Sequence, residues 1–114
     1  MKRFGSFTLD VANECLWQGG TQILVQPKPF ALLHYLVANS NRLVTHGELL
    51  EKIWPETFVQ PQVLRTYVLG LRRILGDDPA RPSYIQTRPR RGYCFVAPVW
   101  ECSDPLRIDA PREA

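Results

Sequence analysis

The 114-residue chain lacks most of the features that mark secreted, metal-binding and membrane proteins. Its three cysteines, Cys15, Cys94 and Cys102, are odd in number and show no Cys-x-x-Cys spacing, so we expect neither a disulfide framework nor a zinc site. No apolar run approaches the roughly 18 residues that a membrane span needs. The N-terminal residues 1–6 contain no apolar signal core. These absences favour a reducing cytoplasm and no membrane contact by this segment.

Catalytic constellations are also missing. No Ser/His/Asp set, carboxylate pair or Gly-rich phosphate loop occurs at a usable spacing. The two aspartates Asp77 and Asp78 are followed by Pro79, which is typical of a turn and not of a metal site. We therefore expect no enzymatic activity, no cofactor and no metal.

Positive charge is concentrated in one part of the chain. The net charge is only +3, yet residues 60–95 carry seven arginines against two aspartates. Arginine suits bidentate contact with phosphate and guanine, so a focused patch of this kind indicates a polyanionic partner. Clustered arginines on a solvated face give the same pattern, so the charge needs support from the order of the elements.

The first half of the chain predicts a small sheet followed by two helices. Residues 4–25 are typical of short antiparallel strands, with Gly19-Gly20 as a two-residue hairpin turn. Apolar residues at helical spacing predict a first helix over residues 28–39. Thr45 followed by Glu48 predicts a capping box at the start of a second helix, which Pro55 ends.

A third helix is predicted over residues 61–75, with Gly76 in the left-handed position beyond its end. Gly70 lies inside this helix at a cost of roughly 1 kcal/mol relative to Ala, so we interpret it as a point of close approach to another backbone. Four residues at helical spacing form its predicted buried stripe: Leu64, Val68, Leu71 and Leu75.

A basic hairpin follows the third helix. Residues 84–87 and 93–96 are predicted strands, and the turn between them carries Arg88, Arg90 and Arg91. Polar and arginine side chains on a helix face read base edges and phosphates in a major groove, and arginine is favoured in a narrow minor groove. The predicted domain spans residues 1–99, and residues 100–114 resemble a linker or disordered tail.

The motifs of the chain, in order, are Phe7-Thr8-Leu9-Asp10, Pro27-Lys28-Pro29-Phe30-Ala31-Leu32-Leu33, Glu48-Leu49-Leu50 with Ile53-Trp54, Leu71-Arg72-Arg73-Ile74-Leu75-Gly76, Tyr84-Ile85-Gln86-Thr87 and Arg91-Gly92-Tyr93-Cys94-Phe95. Over about residues 4–99 they resemble the OmpR/PhoB-type winged-helix DNA-binding domain. The resemblance implies an α+β fold: a winged helix-turn-helix with an N-terminal four-stranded antiparallel sheet, three helices and a C-terminal β-hairpin wing.

The resemblance also implies a function: sequence-specific binding of double-stranded DNA by a bacterial, cytoplasmic transcription regulator of phosphorelay signal transduction. The third helix would enter the major groove, and the wing, residues 84–96, would lie at the adjacent minor groove. It implies that the 55–60 loop can touch RNA polymerase and that two domains can pair head to tail on direct repeats. The residues carried over by position are Thr87 in the wing and, on the major-groove face, Gln62, Arg65, Thr66, Leu69 and Arg73. The predicted DNA-binding set also includes Arg72, which the helical spacing places on the same open face, and the wing-tip residues Arg88, Arg90 and Arg91.

Two departures from the family pattern leave an alternative open. Pro89 stands where the common wing sequence has a basic residue, and Leu69 stands where two-component members usually have a polar or basic one. An exposed Leu69 could anchor a protein partner, so the alternative is a winged-helix interaction module that has lost DNA binding. We expect that no receiver domain precedes residue 1, and the wing resembles that of larger one-component regulators. We therefore expect the N-terminal domain of such a regulator.

Overall fold

A computed structural model describes residues 1–101, which form three helices and eight strands in two antiparallel sheets. The helices are α1 (Pro27–Ala38), α2 (His46–Ile53) and α3 (Gln62–Leu75). The strands are β1 (Lys2–Phe4), β2 (Phe7–Asp10), β3 (Cys15–Gln18), β4 (Thr21–Ile23), β5 (Val44–Thr45), β6 (Ile85–Arg88), β7 (Gly92–Phe95) and β8 (Trp100–Glu101). The predicted order of sheet, three helices and hairpin is confirmed.

The N-terminal sheet has five strands in the order β4-β3-β2-β1-β8, one more than predicted. The added strand pairs Trp100 with Arg3 and Glu101 with Lys2. The Glu101 carboxylate also lies 2.9 Å from Lys2 Nζ. The last described strand therefore lies just beyond the predicted domain boundary at residue 99. The sequence did not show it, because a strand of two residues has no periodicity. Residues 102–114, the remainder of the predicted tail, lie outside the described residues.

Aromatic side chains join the N-terminal sheet to the base of the C-terminal hairpin. The Phe4 ring packs edge-on against Phe95 at 5.0 Å and against Tyr84 at 5.8 Å between centroids. Phe7 meets the same Tyr84 ring at 5.7 Å. These contacts bury the start of the chain against β7 and the residue before β6, so the hairpin is anchored at its base while its tip is free.

A polar cluster fixes α2 against α1. Thr45 Oγ1 accepts a hydrogen bond from the Glu48 backbone N–H at 3.1 Å, which confirms the N-cap half of the predicted capping box. The reciprocal half is not formed, because the Glu48 side chain bonds to other residues. The Glu48 carboxylate accepts hydrogen bonds from the Arg42 guanidinium, at 2.8 Å to the nearer nitrogen, and from the Tyr35 hydroxyl. The hydrogen bonds from Arg42, which have the larger effect, and from Tyr35 lower the pKa of Glu48 to about 2, so the carboxylate is ionised at neutral pH.

The third helix ends at Gly76 as predicted, but the surroundings of its internal glycine, Gly70, differ from the prediction. Gly76 has a φ of 69°, and the Asp77 N–H donates to the Arg72 carbonyl at 2.8 Å, which closes the helix in the left-handed manner. The interpretation of Gly70 as a close backbone approach is wrong, because a Cβ built there would meet nothing within 4 Å. Gly70 adjoins open space on the helix surface.

A true close approach occurs at Gly92, the first residue of β7. A Cβ at Gly92 would lie 2.0 Å from the Val44 carbonyl oxygen, so only glycine allows β5 to pair with the hairpin at this register. This pairing places the N-terminus of α2 beside the hairpin.

The two glycines give opposite predictions for alanine substitution. Gly92→Ala should lower the free energy of unfolding by about 1–3 kcal/mol, because the added methyl group would overlap backbone. Gly70→Ala is the matched control and should raise it by about 1 kcal/mol through helix propensity. Urea unfolding followed by circular dichroism measures both; a loss of stability in both variants would contradict the distinction.

Candidate nucleic-acid interface

One face of α3 packs on the core and the opposite face is open. The predicted stripe of Leu64, Val68, Leu71 and Leu75 is buried, which confirms the helical spacing. The open face carries no acidic residue, and it presents five of the predicted site residues: Gln62, Arg65, Thr66, Leu69 and Arg73.

Arg72 differs from the prediction that placed it on this open face. It is 7% exposed, and its Nη2 atom donates to the Ile85 carbonyl at 2.9 Å and to Thr87 Oγ1 at 2.7 Å. Arg72 follows the buried Leu71 in α3, so the Arg72 side chain lies at the edge of the core and extends towards β6. Its guanidinium therefore connects α3 to the first strand of the wing.

The wing is the hairpin of β6 and β7, with a turn closed by the Arg91 N–H donating to the Arg88 carbonyl at 3.0 Å. Pro89 and Arg90 form the middle of this turn. Arg90 has a φ of 66°, a left-handed conformation that a residue with a Cβ adopts at some cost. Arg88, Arg90 and Arg91 are all exposed, so the wing tip presents three guanidinium groups.

Asp77 is a buried anchor of the wing that the sequence interpretation missed. Its carboxylate accepts backbone N–H groups of Ser83, Tyr84 and Ile85 at 2.7, 3.2 and 2.9 Å. These bonds hold the loop before β6 to the end of α3. No sequence signal separates Asp77 from the exposed Asp78 beside it, because either would be typical of a turn.

A cleft of about 650 Å³ lies between the open face of α3 and the wing. Burial raises the pKa of the Tyr93 hydroxyl on the cleft wall, and the His46 ring meets the Tyr93 ring at 5.6 Å. The cleft brings together predicted residues of the helix and the wing, and four residues that the prediction missed; its lining is His46, Pro61, Gln62, Arg65, Leu69, Arg72, Pro79, Thr87 and Tyr93.

Not every predicted residue lines this cleft. Thr66 and Arg73 lie further round the exposed face of α3, and the three tip arginines extend beyond the cleft on the wing. The missed residues follow from tertiary contacts: His46 begins α2 and meets the wing only because β5 pairs with β7. A chain pattern cannot show such a contact.

The described part of the chain offers little else for chemistry. Among residues 1–101 no group of three His, Cys, Asp or Glu side chains could hold a metal ion. Over the same residues, no helix is long and apolar enough to cross a membrane.

Removing the Arg72 guanidinium should loosen the wing from α3. Arg72→Ala should lower the free energy of unfolding by about 1.5–3 kcal/mol, because it breaks charged hydrogen bonds and leaves a buried carbonyl unpaired. The adjacent Arg73→Ala is the matched control: Arg73 is exposed, so the change should stay within about 0.5 kcal/mol. Thermal unfolding measures both, and equal effects would contradict a connecting role for Arg72.

Known sequences share these features. A family described as "Transcriptional regulatory protein, C terminal" matches residues 20–95. The transcriptional regulatory protein KdpE of Mycobacterium tuberculosis H37Rv is 37% identical over 93 residues, which cover 81% of this chain and 41% of KdpE. The transcriptional activator CadC of Escherichia coli K12 is 29% identical over 98 residues, covering 85% of this chain and 19% of CadC. The chain thus spans less than half the length of these relatives.

Solved structures share the fold. The DNA-binding domain of E. coli CadC superposes with a TM-score of 0.78 at 26% identity, covering 89% of this chain and 95% of that domain. The Klebsiella pneumoniae RstA DNA-binding domain, in complex with its RstA box, superposes with a TM-score of 0.75 at 25% identity, covering 82% and 94%. The α+β winged-helix architecture predicted from the sequence is therefore confirmed.

Proposed function

Because this chain belongs to the OmpR/PhoB-type family of DNA-binding domains of transcriptional regulatory proteins, we propose that it binds double-stranded DNA sequence-specifically as part of a bacterial transcription regulator. The observation that carries this proposal is the cleft in which the open, acid-free face of α3 meets the arginine-tipped wing. Two basic elements held at a fixed angle suit two neighbouring grooves of a duplex.

The third helix supplies the major-groove contacts. A helix with its side chains is about 10–12 Å across, and the major groove is about 12 Å wide, so α3 fits with its open face inward. Arg65 and Gln62 then face base edges from the cleft side. Arg73, at the other end of the helix, reaches a phosphate.

The wing supplies the minor-groove contact. Arg90 is held at the tip by the turn, and the narrow minor groove attracts arginine through its negative potential. Thr87 is exposed at the cleft, where its hydroxyl group suits a backbone phosphate. Arg72 takes part indirectly, because it holds Thr87 and β6 against the reading helix. The departure at Pro89 is compatible with this role, since Pro89 shapes the turn that presents Arg90.

The proposal involves binding without catalysis, in the cytoplasm where a bacterial chromosome lies. Leu69 motivated the alternative of a protein-interaction module, and it is indeed exposed. Its neighbours one helical turn away are Arg65 and Arg73, which favour a polyanion over an apolar protein surface. DNA binding therefore accounts for more of this face than protein binding does.

The loop between α2 and α3 is proposed to contact RNA polymerase. Phe58, in this loop, is 86% exposed, so its aromatic side chain is hardly packed against the rest of the domain and is available to a partner. Phe58→Ala should lower polymerase-dependent transcription from a promoter carrying the bound site and leave DNA affinity unchanged, because Phe58 is not among the residues that line the cleft. Thr57→Ala is the control in the same loop. Unchanged transcription, or an equal loss of DNA affinity, would contradict this role.

DNA binding is tested with a duplex selected from a random-sequence library by the whole chain, and with a scrambled duplex as reference. The logarithm of the affinity should fall with the logarithm of salt concentration by about 0.9 per phosphate contact. Fluorescence anisotropy at several salt concentrations measures this slope. A selected duplex carrying two direct copies of the site also tests head-to-tail pairing through its stoichiometry.

Arg65→Ala should weaken binding to the selected duplex more than to the scrambled one, by about 1–3 kcal/mol, because Arg65 faces base edges. Lys2→Ala removes one positive charge at the far sheet, in an ion pair with Glu101, and should leave both affinities nearly unchanged. Failure to bind any duplex at low salt would overturn the proposed function. Equal losses on both duplexes would restrict Arg65 to a phosphate contact.

A further inference from the structure

Leu69 is the exception on the open face of α3. It is 40% exposed although leucine has no polar group to hydrate, and it lies on the cleft wall between Gln62 and Arg65 on one side and Arg73 on the other. The following residue, Gly70, adds no side chain, and the space above it is open. The middle of the reading face therefore carries an apolar side chain, while its two ends are polar.

Thr66, beside it, reinforces this character. Its hydroxyl group donates to the Gln62 carbonyl within the helix at 3.3 Å, so the hydroxyl hydrogen is already used. Residues three apart lie next to each other on a helix surface, so Thr66 and Leu69 form one weakly donating patch. Any base at this patch is offered an apolar contact, whereas the arginines offer hydrogen bonds on either side.

The thymine 5-methyl group is the apolar feature that bases present in the major groove. Resting on the proposed function, we infer that Leu69 contacts the 5-methyl group of a thymine and so specifies a T·A pair near the middle of the bound site. The arginines on both sides commit the patch to duplex DNA as its occupant, because their charges need phosphates or guanines nearby.

The contact with Leu69 also disfavours cytosine, the other pyrimidine of DNA, at this position. Cytosine presents an N4 amino donor in the major groove and carries no 5-methyl group. Leu69 would cover this donor without offering an acceptor, and a desolvated donor without a partner is costly. Discrimination thus has an attractive part, the methyl contact, and a repulsive part, the covered amino group.

The test exchanges one methyl group at a time in the DNA. In the selected duplex, each thymine is replaced in turn by deoxyuridine, which lacks only the 5-methyl group, and the Kd of the whole chain is measured by anisotropy. At one thymine in each copy of the site, replacement by deoxyuridine should weaken binding by about fourfold, which is the factor that burial of one methyl group supplies. At that position Leu69→Ala should bind the thymine and deoxyuridine duplexes equally.

Two further variants separate Leu69 from its surroundings. Leu69→Met keeps an apolar contact and should keep the sensitivity to deoxyuridine. Thr66→Ser removes only a methyl group from the neighbouring residue and should also keep it. Leu69 is exposed and alanine suits a helix, so the folding of Leu69→Ala is checked by its thermal transition.

The outcomes distinguish this inference from the function on which it rests. If the chain binds the selected duplex but no thymine is sensitive, or the sensitivity persists in Leu69→Ala or disappears in Thr66→Ser, the inference is overturned and DNA binding stands. If Leu69→Ala leaves every DNA affinity unchanged and instead abolishes binding of a protein, Leu69 serves a protein partner. If no duplex binds at low salt, both proposals are overturned.

Discussion

The guanidinium of Arg72 is the contact on which the geometry of the interface depends. It joins α3, whose open face is basic, to the hairpin of β6 and β7, whose tip is basic, through the Ile85 carbonyl and the Thr87 hydroxyl. Asp77 supports the same junction by holding the backbone that leads into β6. A helix and a hairpin can only serve two neighbouring grooves if their separation is fixed, and these two charged groups fix it within the buried edge of the core.

The elements themselves could be predicted because their signals are local. Helical apolar spacing, the Thr45 cap and the Gly76 terminator depend on residues a few positions apart, and helix bounds agree to within one residue. The open face of α3 could be predicted for the same reason, since the side opposite a buried stripe must be open. The role of Arg72 could not be predicted, because periodicity places it near the boundary of that face and only the position of β6 decides its partners.

The other differences have the same origin. The fifth strand of the N-terminal sheet is β8, which pairs with β1 although the two are nearly 100 residues apart in sequence. It has only two residues, too few to show a strand pattern. Gly70 and Gly92 are both single glycines in regular elements, yet one borders open space and the other a carbonyl oxygen. Sequence shows where a glycine stands, and tertiary structure decides what a side chain there would meet.

We propose that α3 and the wing form one surface for duplex DNA. Amide chemical-shift perturbation by NMR, with the selected duplex titrated into the labelled chain, tests this directly. We expect the signals of α3 around Arg65 and Leu69, and of the wing around Arg90, to change together at one stoichiometry, while those of β3 and β4 stay in place. Changes confined to the N-terminal sheet or to the loop around Phe58, with α3 and the wing unaffected, would contradict it.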